Sequence, residues 1–481
     1  MRTFRGAEAT RRSELVRFRR ALALLGMTLI LPGSAQLMRG SKPVGRAALR
    51  VVGLIVVGVV AGWFYLGRDG VIKLGLDPLA LAAIKATVVV LAACWVGLFI
   101  DAWRLGRPPT LLRTHRVAAT FLTLALAAGV AVPTAYGSRL LDAQQSILED
   151  IIIPGPAATI TEGRLNVLLL GGDGELDRVG VRTDSINLAS IDVATGRTVM
   201  FSLPRNLQYA QFPPGTVMAK QFPNGFPDFF FGIYTWASER PQLFPGVKNP
   251  GAQAVMEAVA QTLNLTVHHY ALVNLAGFQN VINALGGITI RVEKRIPIGG
   301  GTSMSGVPQP IKGYIEPGLQ KLNGYRALWY ARSRAGELNG DYARMARQRC
   351  VFGAILKQAD PLTILAHYTE LAKSAKRVIT TDITSGTLKL LVDISGKAKA
   401  QPVTSVQFNN TLINSANPDM VFIRAETAKA IAKSEAAPVK PAVKPAKTTT
   451  GTGTKKPTKP KVTKTATPGD PVSIDDTCKY T

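Results

Sequence analysis

The stretch Asn166-Val167-Leu168-Leu169-Leu170-Gly171-Gly172-Asp173-Gly174 is a short continuous apolar run that ends in a glycine-rich turn. An apolar run of this length, bounded by turn residues, is typical of a buried β-strand. Residues 185–192 and 198–203 alternate apolar and polar side chains, which predicts two further strands. A fourth strand is predicted at residues 288–292, after a pair of glycines.

Helical patterns are interleaved with these strands. Apolar residues recur at helical spacing over residues 250–263, 275–285, 324–331, 341–359 and 361–376. Because strands and helices are mixed along the chain, the sequence predicts an α/β sandwich. It extends over residues 160–424, a length sufficient to bury a full core.

Three apolar stretches precede this domain, and each is long enough to cross the roughly 30 Å hydrocarbon core of a bilayer. They cover residues 49–66, 79–100 and 117–136. A shorter stretch, residues 21–38, is interrupted by Pro32-Gly33 and has basic flanks, so we interpret it as a re-entrant segment or a short span. Residues 21–140 are therefore predicted to form a multi-span helical membrane region.

The positions of the basic residues predict how this region is oriented, because Lys and Arg are enriched on the cytoplasmic side. Residues 1–20 form an arginine-rich cytoplasmic arm, and residues 38–50 and 101–116 are also basic. Residues 67–78 have balanced charge and are predicted to lie outside. The chain is thus expected to be a multi-pass protein of the cell membrane with an extracytoplasmic domain. A cleaved signal peptide at residues 1–35 is the competing interpretation.

The formal net charge of +26 would suit nucleic acid, but its distribution does not favour that partner. Half of the excess lies in the N-terminal arm and in the lysine-rich residues 433–464. The remaining positive charge lies in the loops that flank the predicted spans and in the outer domain, where it suits binding to anionic lipid, wall polymer or phosphate. A transcriptional regulator would need a cytoplasmic nucleic-acid-binding module, which this topology does not offer.

Residues 434–481 are rich in Lys, Pro and Thr and have few side chains to bury, so they are predicted to form a disordered tail. Extended, the tail would reach on the order of 100 Å, which is enough to thread a cell wall. A solvated tail without a partner fits the composition equally well. The tail carries Cys478, and an oxidising exterior permits a disulfide with Cys350; two free thiols are the alternative.

Charged side chains lie at the ends of the predicted strands. Asp173 follows the first strand, Arg182 and Asp184 open the second, and Arg205 follows the third. Separate strand ends can converge at one edge of a sheet. Carboxylates hold Mg²⁺, which bridges to phosphate, and arginines bind the remaining phosphate oxygens. For each residue taken alone, a turn or an exposed ion pair is the simpler interpretation.

A second group of the same chemical character lies farther along the chain. Arg332 and Arg334 are followed by Asp341, Arg344 and Gln348. If a helix begins near Asp341, the last three side chains occupy one face, at positions i, i+3 and i+7. Three guanidiniums, a carboxylate and an amide at this spacing favour a polyphosphate ligand. A solvated basic helix N-terminus is the alternative.

In order and spacing, these residues resemble the LytR-CpsA-Psr family of cell-wall glycopolymer ligases. The matching pieces are residues 166–173, 182–185, 202–205, 277–278, 285–287, 322–334 and 340–348. The resemblance covers about residues 160–380. The multi-span anchor, the Arg-Gln-Arg-Cys stretch at residues 347–350 and the cysteine near residue 481 look like actinobacterial members.

The resemblance implies a three-layer α/β sandwich with a mixed central sheet. It also implies a phosphotransferase that moves a phosphoglycosyl polymer from a polyprenyl-pyrophosphate carrier to a peptidoglycan hydroxyl. Asp173 and Asp184 would hold Mg²⁺ against the pyrophosphate. The catalytic residues implied are Arg182, Arg205, Arg332, Arg334, Asp341, Arg344 and Gln348. Apolar helix faces could line a prenyl pocket, although simple core is the commoner interpretation of such faces.

Two positions depart from the usual pattern of the family, because Asn206 and Asn274 stand where many members have Asp. The lost charge beside Arg205 keeps open a non-catalytic glycolipid receptor. A polyprenyl-pyrophosphate pyrophosphatase, with water as acceptor, is a further alternative. The adjacent His268 and His269 have no third ligand nearby in the sequence, so they are interpreted as surface or packing residues.

Overall fold

The computed structural model describes residues 2–75, 77–151, 153, 155–172, 183–301, 307–334, 340–358, 379–438, 472–474 and 478. Within this part, the chain divides into two compact units, residues 1–146 and residues 147–481.

The first unit consists of helices. They are α1 (Arg2–Ile30), α2 (Ser34–Arg39), α3 (Lys42–Gly75), α4 (Pro78–Leu105) and α5 (Arg113–Ile151), the last of which continues into the second unit. Three stretches of the described chain are long and apolar enough to span a membrane, Lys42–Gly67, Leu79–Thr110 and Arg113–Asp142. Each contains one of the predicted spans.

The chain changes direction between α1 and α2, where Pro32-Gly33 predicted an interruption. Gly33 has a φ of 93°, which glycine adopts without strain. Gln36 on α2 is buried, and its Nε2 donates to Leu98 O at 3.0 Å and to Asp101 Oδ2 at 3.1 Å, which fixes α2 to α4. The arm predicted at residues 1–20 is not a separate segment, because residues 2–30 form the single helix α1.

The second unit contains the predicted strands and helices. Its strands are β1 (Arg164–Gly172), β2 (Thr183–Asp192), β3 (Thr198–Leu203), β4 (His269–Asn274), β5 (Ile288–Val292), β6 (Ile296–Gly299), β7 (Ile311–Ile315), β8 (Gly318–Leu322), β9 (Ile379–Thr381), β10 (Val403–Gln407) and β11 (Val472–Ser473). Its helices are α6 (Val217–Gln221), α7 (Phe231–Ser238), α8 (Pro250–Leu263), α9 (Leu275–Ala284), α10 (Gly324–Arg332), α11 (Gly340–Gln358), α12 (Ser385–Ala398) and α13 (Met420–Ala436). The predicted helix at 361–376 lies outside the described residues.

Seven strands form one mixed sheet in the order β11-β10-β3-β2-β1-β4-β9. The β1–β4 and β3–β10 pairs are parallel, and the remaining pairs are antiparallel. Two-stranded ladders, β5–β8 and β6–β7, lie outside this sheet. The predicted α/β architecture with a mixed central sheet is confirmed.

Helices cover both faces of the sheet. Side chains of successive strand residues point to opposite faces, and the apolar side chains on each face pack against helices. On one face, Leu168, Leu188 and Phe201 pack in a core with residues of α7, α8 and α13. On the other face, Leu165, Val167 and Ala189 pack with Ile394 of α12. A third core joins α9, α10 and α11 to the two small ladders. The result is the predicted three-layer sandwich.

The C-terminal part of the chain differs from the predicted disordered tail. Helix α13 continues to Ala436, and Arg197 Nη1 donates to its terminal carbonyls Ser434 O at 3.0 Å and Glu435 O at 2.7 Å. Strand β11 then pairs with β10, and Cys478 forms a disulfide with Cys350 on α11. Residues 472–474 and Cys478 thus belong to the folded unit, because they complete a sheet edge and bury Ile474. Residues 439–471 lie outside the described part.

Candidate functional site

Four strand ends meet at one edge of the seven-stranded sheet. Gly172 at the end of β1 pairs with Thr183 at the start of β2, and Ile186 on β2 pairs with Leu203 at the end of β3. Asn274 ends β4 alongside Gly172, since β1 and β4 run parallel. The convergence that the sequence predicted for the ends of β1, β2 and β3 is therefore present, and the end of β4 joins them.

Asp184 and Arg205 form an ion pair at this edge. Arg205 Nη1 donates to Asp184 Oδ1 at 2.5 Å, and both side chains are about a quarter exposed, at 24% and 22%. The Arg205 guanidinium carbon also lies 5.8 Å from the centroid of the Phe231 ring. This pair joins the start of β2 to the segment after β3. Asp184 therefore orients Arg205 in this chain, which has Asn206 where many family members have Asp.

Helix α11 brings Arg344 and Gln348 to the same edge. Arg344 is only 4% exposed, and its Nη2 donates to the main-chain oxygen of Asp184 at 3.0 Å. One turn later, Gln348 Oε1 accepts a hydrogen bond from Ser185 Oγ at 3.0 Å. The helix begins at Gly340, so the predicted spacing of Arg344 and Gln348 on one face is confirmed.

Arg347, on a different face of α11, has a structural role that the sequence did not suggest. Its Nε donates to Tyr330 O at 2.7 Å, and its Nη2 donates to Ser333 O. These carbonyls lie at the C-terminal end of α10, where a cation is favourable. Burial raises the pKa of the Tyr330 phenol to about 12, so this ring is neutral at physiological pH. Arg347 thereby fixes the segment that carries Arg332.

An apolar cavity of about 350 Å³ opens beside these polar groups. Its walls come from β1, β2, β3, β4 and the helices α9, α10 and α11. Most lining side chains are apolar. The polar or charged ones are Asp184, Ser185, Asn274, Arg332, Arg344 and Gln348. The apolar lining includes Leu169, Ala189, Met200, Ala271, Val273, Phe278, Val281, Leu328, Val351, Phe352, Ile355 and Leu356. The apolar faces of α9, α10 and α11 therefore border an open space as well as packed core.

A small polar cleft adjoins this cavity and shares four of its residues. Asp184, Ser185, Arg344 and Gln348 line both spaces. The cleft is completed by Arg205 and by the residues Ile186, Asn187, Leu203, Pro204, Asn206, Tyr342 and Met345. A ligand with an anionic head and an apolar tail fits this pairing of spaces, because guanidiniums bind the head and the cavity buries the tail.

The two asparagines that depart from the family pattern have local partners. Asn206 Nδ2 donates to Ser415 Oγ at 3.3 Å. Asn274 is the N-cap of α9, and its side chain accepts a hydrogen bond from Gly277 N at 2.8 Å. Asn and Asp are about equally effective N-caps, so the change at Asn274 leaves the start of α9 intact.

The remaining predicted site residues differ in how they are placed. Arg332 is exposed and lines the cavity mouth, with its guanidinium carbon 5.9 Å from the Trp329 ring centroid. Arg334 is exposed beyond the end of α10 and does not line the described part of either space. The backbone of Asp341 lies in the first turn of α11. Asp173 and Arg182 lie outside the described residues.

The described part of the site fits a Mg²⁺ ion only through Asp184. Its Oδ1 accepts from Arg205, whereas its Oδ2 has no hydrogen-bond partner among the described residues. Mg²⁺ is commonly bound by one or two carboxylates together with substrate phosphates and water, which this single oxygen permits. No group of three or more His, Cys, Asp or Glu side chains that could hold a metal occurs among the residues described.

The adjacent histidines lie away from this edge and bind neighbouring segments. His269 Nε2 is 2.9 Å from Thr387 Oγ1, and its Nδ1 is 3.4 Å from Asp382 Oδ1. His268 Nδ1 accepts from Asn166 N at 3.1 Å, and burial lowers the pKa of His268. His269 therefore connects β4 to the segment that carries Asp382 and Thr387, and His268 bonds to β1.

Several known proteins have sequences or structures similar to this chain. It is 25% identical over 307 residues to biofilm regulatory protein A of Streptococcus mutans, covering 63% of this chain and 70% of that protein. It is 29% identical over 251 residues to a polyisoprenyl-teichoic acid–peptidoglycan teichoic acid transferase, TagU, of Oceanobacillus iheyensis, covering 52% and 69%. A solved structure, protein gbs0355 of Streptococcus agalactiae, aligns with 24% identity and a TM-score of 0.44 over 58% of this chain and 91% of that one.

The match to a family extends over most of the second unit. The sequence model of the LytR_cpsA_psr family covers residues 143–437, which is more than half of the chain. The matched range contains the converging strand ends, α10, α11 and the residues that line both spaces. The chain belongs to the LytR_cpsA_psr family.

Proposed function

We propose that this protein transfers a phosphoglycosyl polymer from a polyprenyl-pyrophosphate carrier to a hydroxyl of peptidoglycan. The observation that carries the proposal is the shared border of an apolar cavity and a polar cleft, formed by Asp184, Ser185, Arg344 and Gln348. The name of the similar Oceanobacillus iheyensis protein describes a transfer of this class, from a polyisoprenyl carrier to peptidoglycan.

The cavity would bury the first part of the prenyl chain, and the cleft would bind the pyrophosphate. The apolar walls would surround the first isoprene units much as lipid does, so the carrier would enter the cavity without exposing apolar surface to water. Arg205, Arg332 and Arg344 would bind phosphate oxygens, since each borders at least one of the two spaces. The extracytoplasmic, membrane-anchored location predicted from the basic residues would place the site where carrier and wall acceptor meet.

In the proposed reaction, the acceptor oxygen forms a bond to the sugar-linked phosphorus and the bond from that phosphorus to the bridging oxygen breaks. The acceptor proton is released, and polyprenyl phosphate leaves with the electron pair. Negative charge grows on the leaving phosphate, so the arginines and the Gln348 amide stabilise the transition state. Mg²⁺ held by Asp184, with Asp173 as its predicted partner, would neutralise charge on the pyrophosphate. Arg182, Arg334 and Asp341 remain predicted participants.

Replacing Arg332 with alanine is expected to reduce acceptor-dependent release of polyprenyl phosphate by about 100-fold, the usual effect of removing one donor from a charge-stabilising site. Arg332 is exposed, so the variant should retain its fold. The assay uses the full chain in detergent micelles with Mg²⁺ and a polyprenyl-pyrophosphate glycan, with and without peptidoglycan. Arg326→Ala, on the same helix and outside the lining of both spaces, is the matched control.

The acceptor arm of this assay separates three functions. Release that requires peptidoglycan and is lost in Arg332→Ala supports the transferase. Equal release without peptidoglycan would show a pyrophosphatase instead. Tight binding of the glycolipid with no release in either arm would show a receptor and contradict the proposal.

Filling the cavity by Ala271→Phe is expected to weaken binding of a prenyl pyrophosphate by at least about tenfold, because the added ring occupies space that the prenyl chain would fill. Ala271 lines the cavity from β4. Binding of inorganic pyrophosphate should change by less than about twofold. Titration calorimetry with geranylgeranyl pyrophosphate and inorganic pyrophosphate measures both. An equal loss for the two ligands would show that the substitution distorts the polar cleft and would remove the cavity from the proposal.

A further inference from the structure

A chain of hydrogen bonds lies behind Gln348 and connects it to the interior of the sheet. Ser202 Oγ donates to Asn187 Oδ1 at 2.6 Å, Asn187 Nδ2 donates to Ser185 Oγ at 2.8 Å, and Ser185 Oγ donates to Gln348 Oε1 at 3.0 Å. Asn187 and Ser202 are directly opposite each other on β2 and β3. Both are buried, with 2% and 1% of their surface exposed.

The positions of Asn187 and Ser202 are ones where apolar residues would otherwise be expected. Their neighbours on the same face of the two strands are Ala189 and Met200, which line the apolar cavity. Polar side chains buried in such surroundings destabilise the fold unless they are hydrogen bonded. Here the hydrogen bonds of the pair continue through Ser185 to the functional site. The series of hydrogen bonds that begins at Ser202 and Asn187 thus ends at the side chain of Gln348.

The direction of the hydrogen bonds determines what Gln348 presents to the cavity. Asn187 Oδ1 accepts from Ser202, so Asn187 Nδ2 faces Ser185, and the Ser185 hydroxyl is left to donate to Gln348 Oε1. With Oε1 occupied, the Nε2 group of Gln348 has no hydrogen-bond partner among the described residues, and the Gln348 residue lines both spaces. An amide nitrogen only donates, so it attracts an anionic oxygen. In the reverse orientation, Gln348 would present a repelling carbonyl oxygen.

We propose that Asn187 and Ser202 are positioning residues that fix the orientation of the Gln348 amide and thereby make the site selective for an anionic head group. The proposal rests on the proposed function only in taking the ligand to be a prenyl pyrophosphate. Asn187 lines the polar cleft, but the role proposed for Asn187 and Ser202 acts through Gln348 and not through their own contact with the ligand. It predicts that reversing the hydrogen bonds at Asn187 changes head-group selectivity while leaving the apolar cavity unchanged.

The substitution Asn187→Asp tests this directly, because a carboxylate has the shape of the amide but can only accept. Ser185 would then donate to the introduced carboxylate, accept from Gln348 Nε2 and turn Gln348 Oε1 toward the ligand. Binding of geranylgeranyl pyrophosphate to the full chain in detergent is expected to weaken by about tenfold to a hundredfold, the range for a lost hydrogen bond to a charged group. Binding of the neutral geranylgeraniol should change by less than about twofold.

Two further variants separate orientation from the added negative charge and from damage to the fold. Asn187→Leu interrupts the chain without charge and should give an intermediate loss of pyrophosphate binding. In a Gln348→Leu background, Asn187→Asp should cause little further loss, because the amide that it reorients is absent. Thermal unfolding of each variant measures whether the fold is retained.

The outcomes are distinguishable from those that test the proposed function. Equal loss of geranylgeranyl pyrophosphate and geranylgeraniol, or an undiminished effect of Asn187→Asp in the Gln348→Leu background, would overturn the positioning role. Failure of the parent protein to bind geranylgeranyl pyrophosphate would overturn both proposals. Selective binding that responds to Asn187→Asp in a protein without transfer activity would support the positioning role and contradict only the transferase.

Discussion

Replacing Arg344 with lysine is expected to reduce the proposed transfer of the glycan by about 100-fold or more, even though the charge is retained. The guanidinium of Arg344 is almost fully buried, donates to the main-chain oxygen of Asp184 and borders both the cavity and the cleft. A lysine ammonium is a point charge without the planar fork, so it cannot hold Asp184 O and a phosphate oxygen in the same geometry. Turnover of the polyprenyl-pyrophosphate glycan by the full chain measures the effect.

Arg349→Lys is the matched control for this variant. Arg349 lies on the same helix, but its Nη1 donates to Ser405 Oγ at 2.8 Å and it does not line either space. We expect the turnover of Arg349→Lys to stay within about threefold of that of the parent protein, because Arg349 lies outside the described lining of both spaces. Similar losses in the two variants would mean that helix α11 tolerates no lysine and that Arg344 has no special role. An active Arg344→Lys protein would remove Arg344 from the site.

Reduction of the Cys350–Cys478 disulfide is expected to destabilise the second unit by about 5 kcal/mol, the value that the chain-entropy description gives for a long loop. The two cysteines are 128 residues apart in the sequence. Without the bond, the pairing of β11 with β10 involves only two residues of each strand. Urea unfolding followed by tryptophan fluorescence, with and without dithiothreitol, measures the change in the free energy of unfolding.

The same bond is expected to matter for activity, because Cys350 lies on α11 shortly after Arg344 and Gln348. Cys350→Ser should therefore lower turnover and should respond no further to reductant. Cys94→Ser is the control, since Cys94 is an exposed free thiol on α4. An unchanged unfolding curve for Cys350→Ser would show that the rest of the core holds β11 and Cys478 without the covalent bond.

Local sequence signals predicted fewer than half of the elements that the structure describes in the second unit, namely β1, β2, β3, β5, α8, α9, α10 and α11. Helix α8 runs from Pro250 to Leu263 as predicted, because Asn249 caps its start and Asn264 adopts a left-handed conformation at its end. Strand β5 also has the predicted bounds, after two glycines with positive φ. Such elements are specified by a few adjacent residues, which a single sequence displays.

Pairings between distant segments were also not predicted by the sequence. The composition of residues 434–481 predicted a tail, but strand β11 adds to β10 at an edge that can be recognised only once the sheet is assembled. The buried contacts of Arg347 with Tyr330 O and Ser333 O likewise depend on how α11 crosses the end of α10. Arg205, Arg332, Arg344 and Asp184 could be named from the sequence as candidates, whereas their individual partners required the tertiary structure.

The size of the cavity bears on where the carrier lipid stays during the proposed reaction. At roughly 30 Å³ for each group the size of a water molecule, a space of about 350 Å³ holds on the order of a dozen carbon atoms. A prenyl chain that reaches across the roughly 30 Å hydrocarbon core of a bilayer is longer than this. Extracting each buried methylene from lipid into water would cost about 0.8 kcal/mol. The protein would therefore take up only the head-proximal isoprene units, and the rest of the carrier would remain dissolved in the membrane throughout transfer.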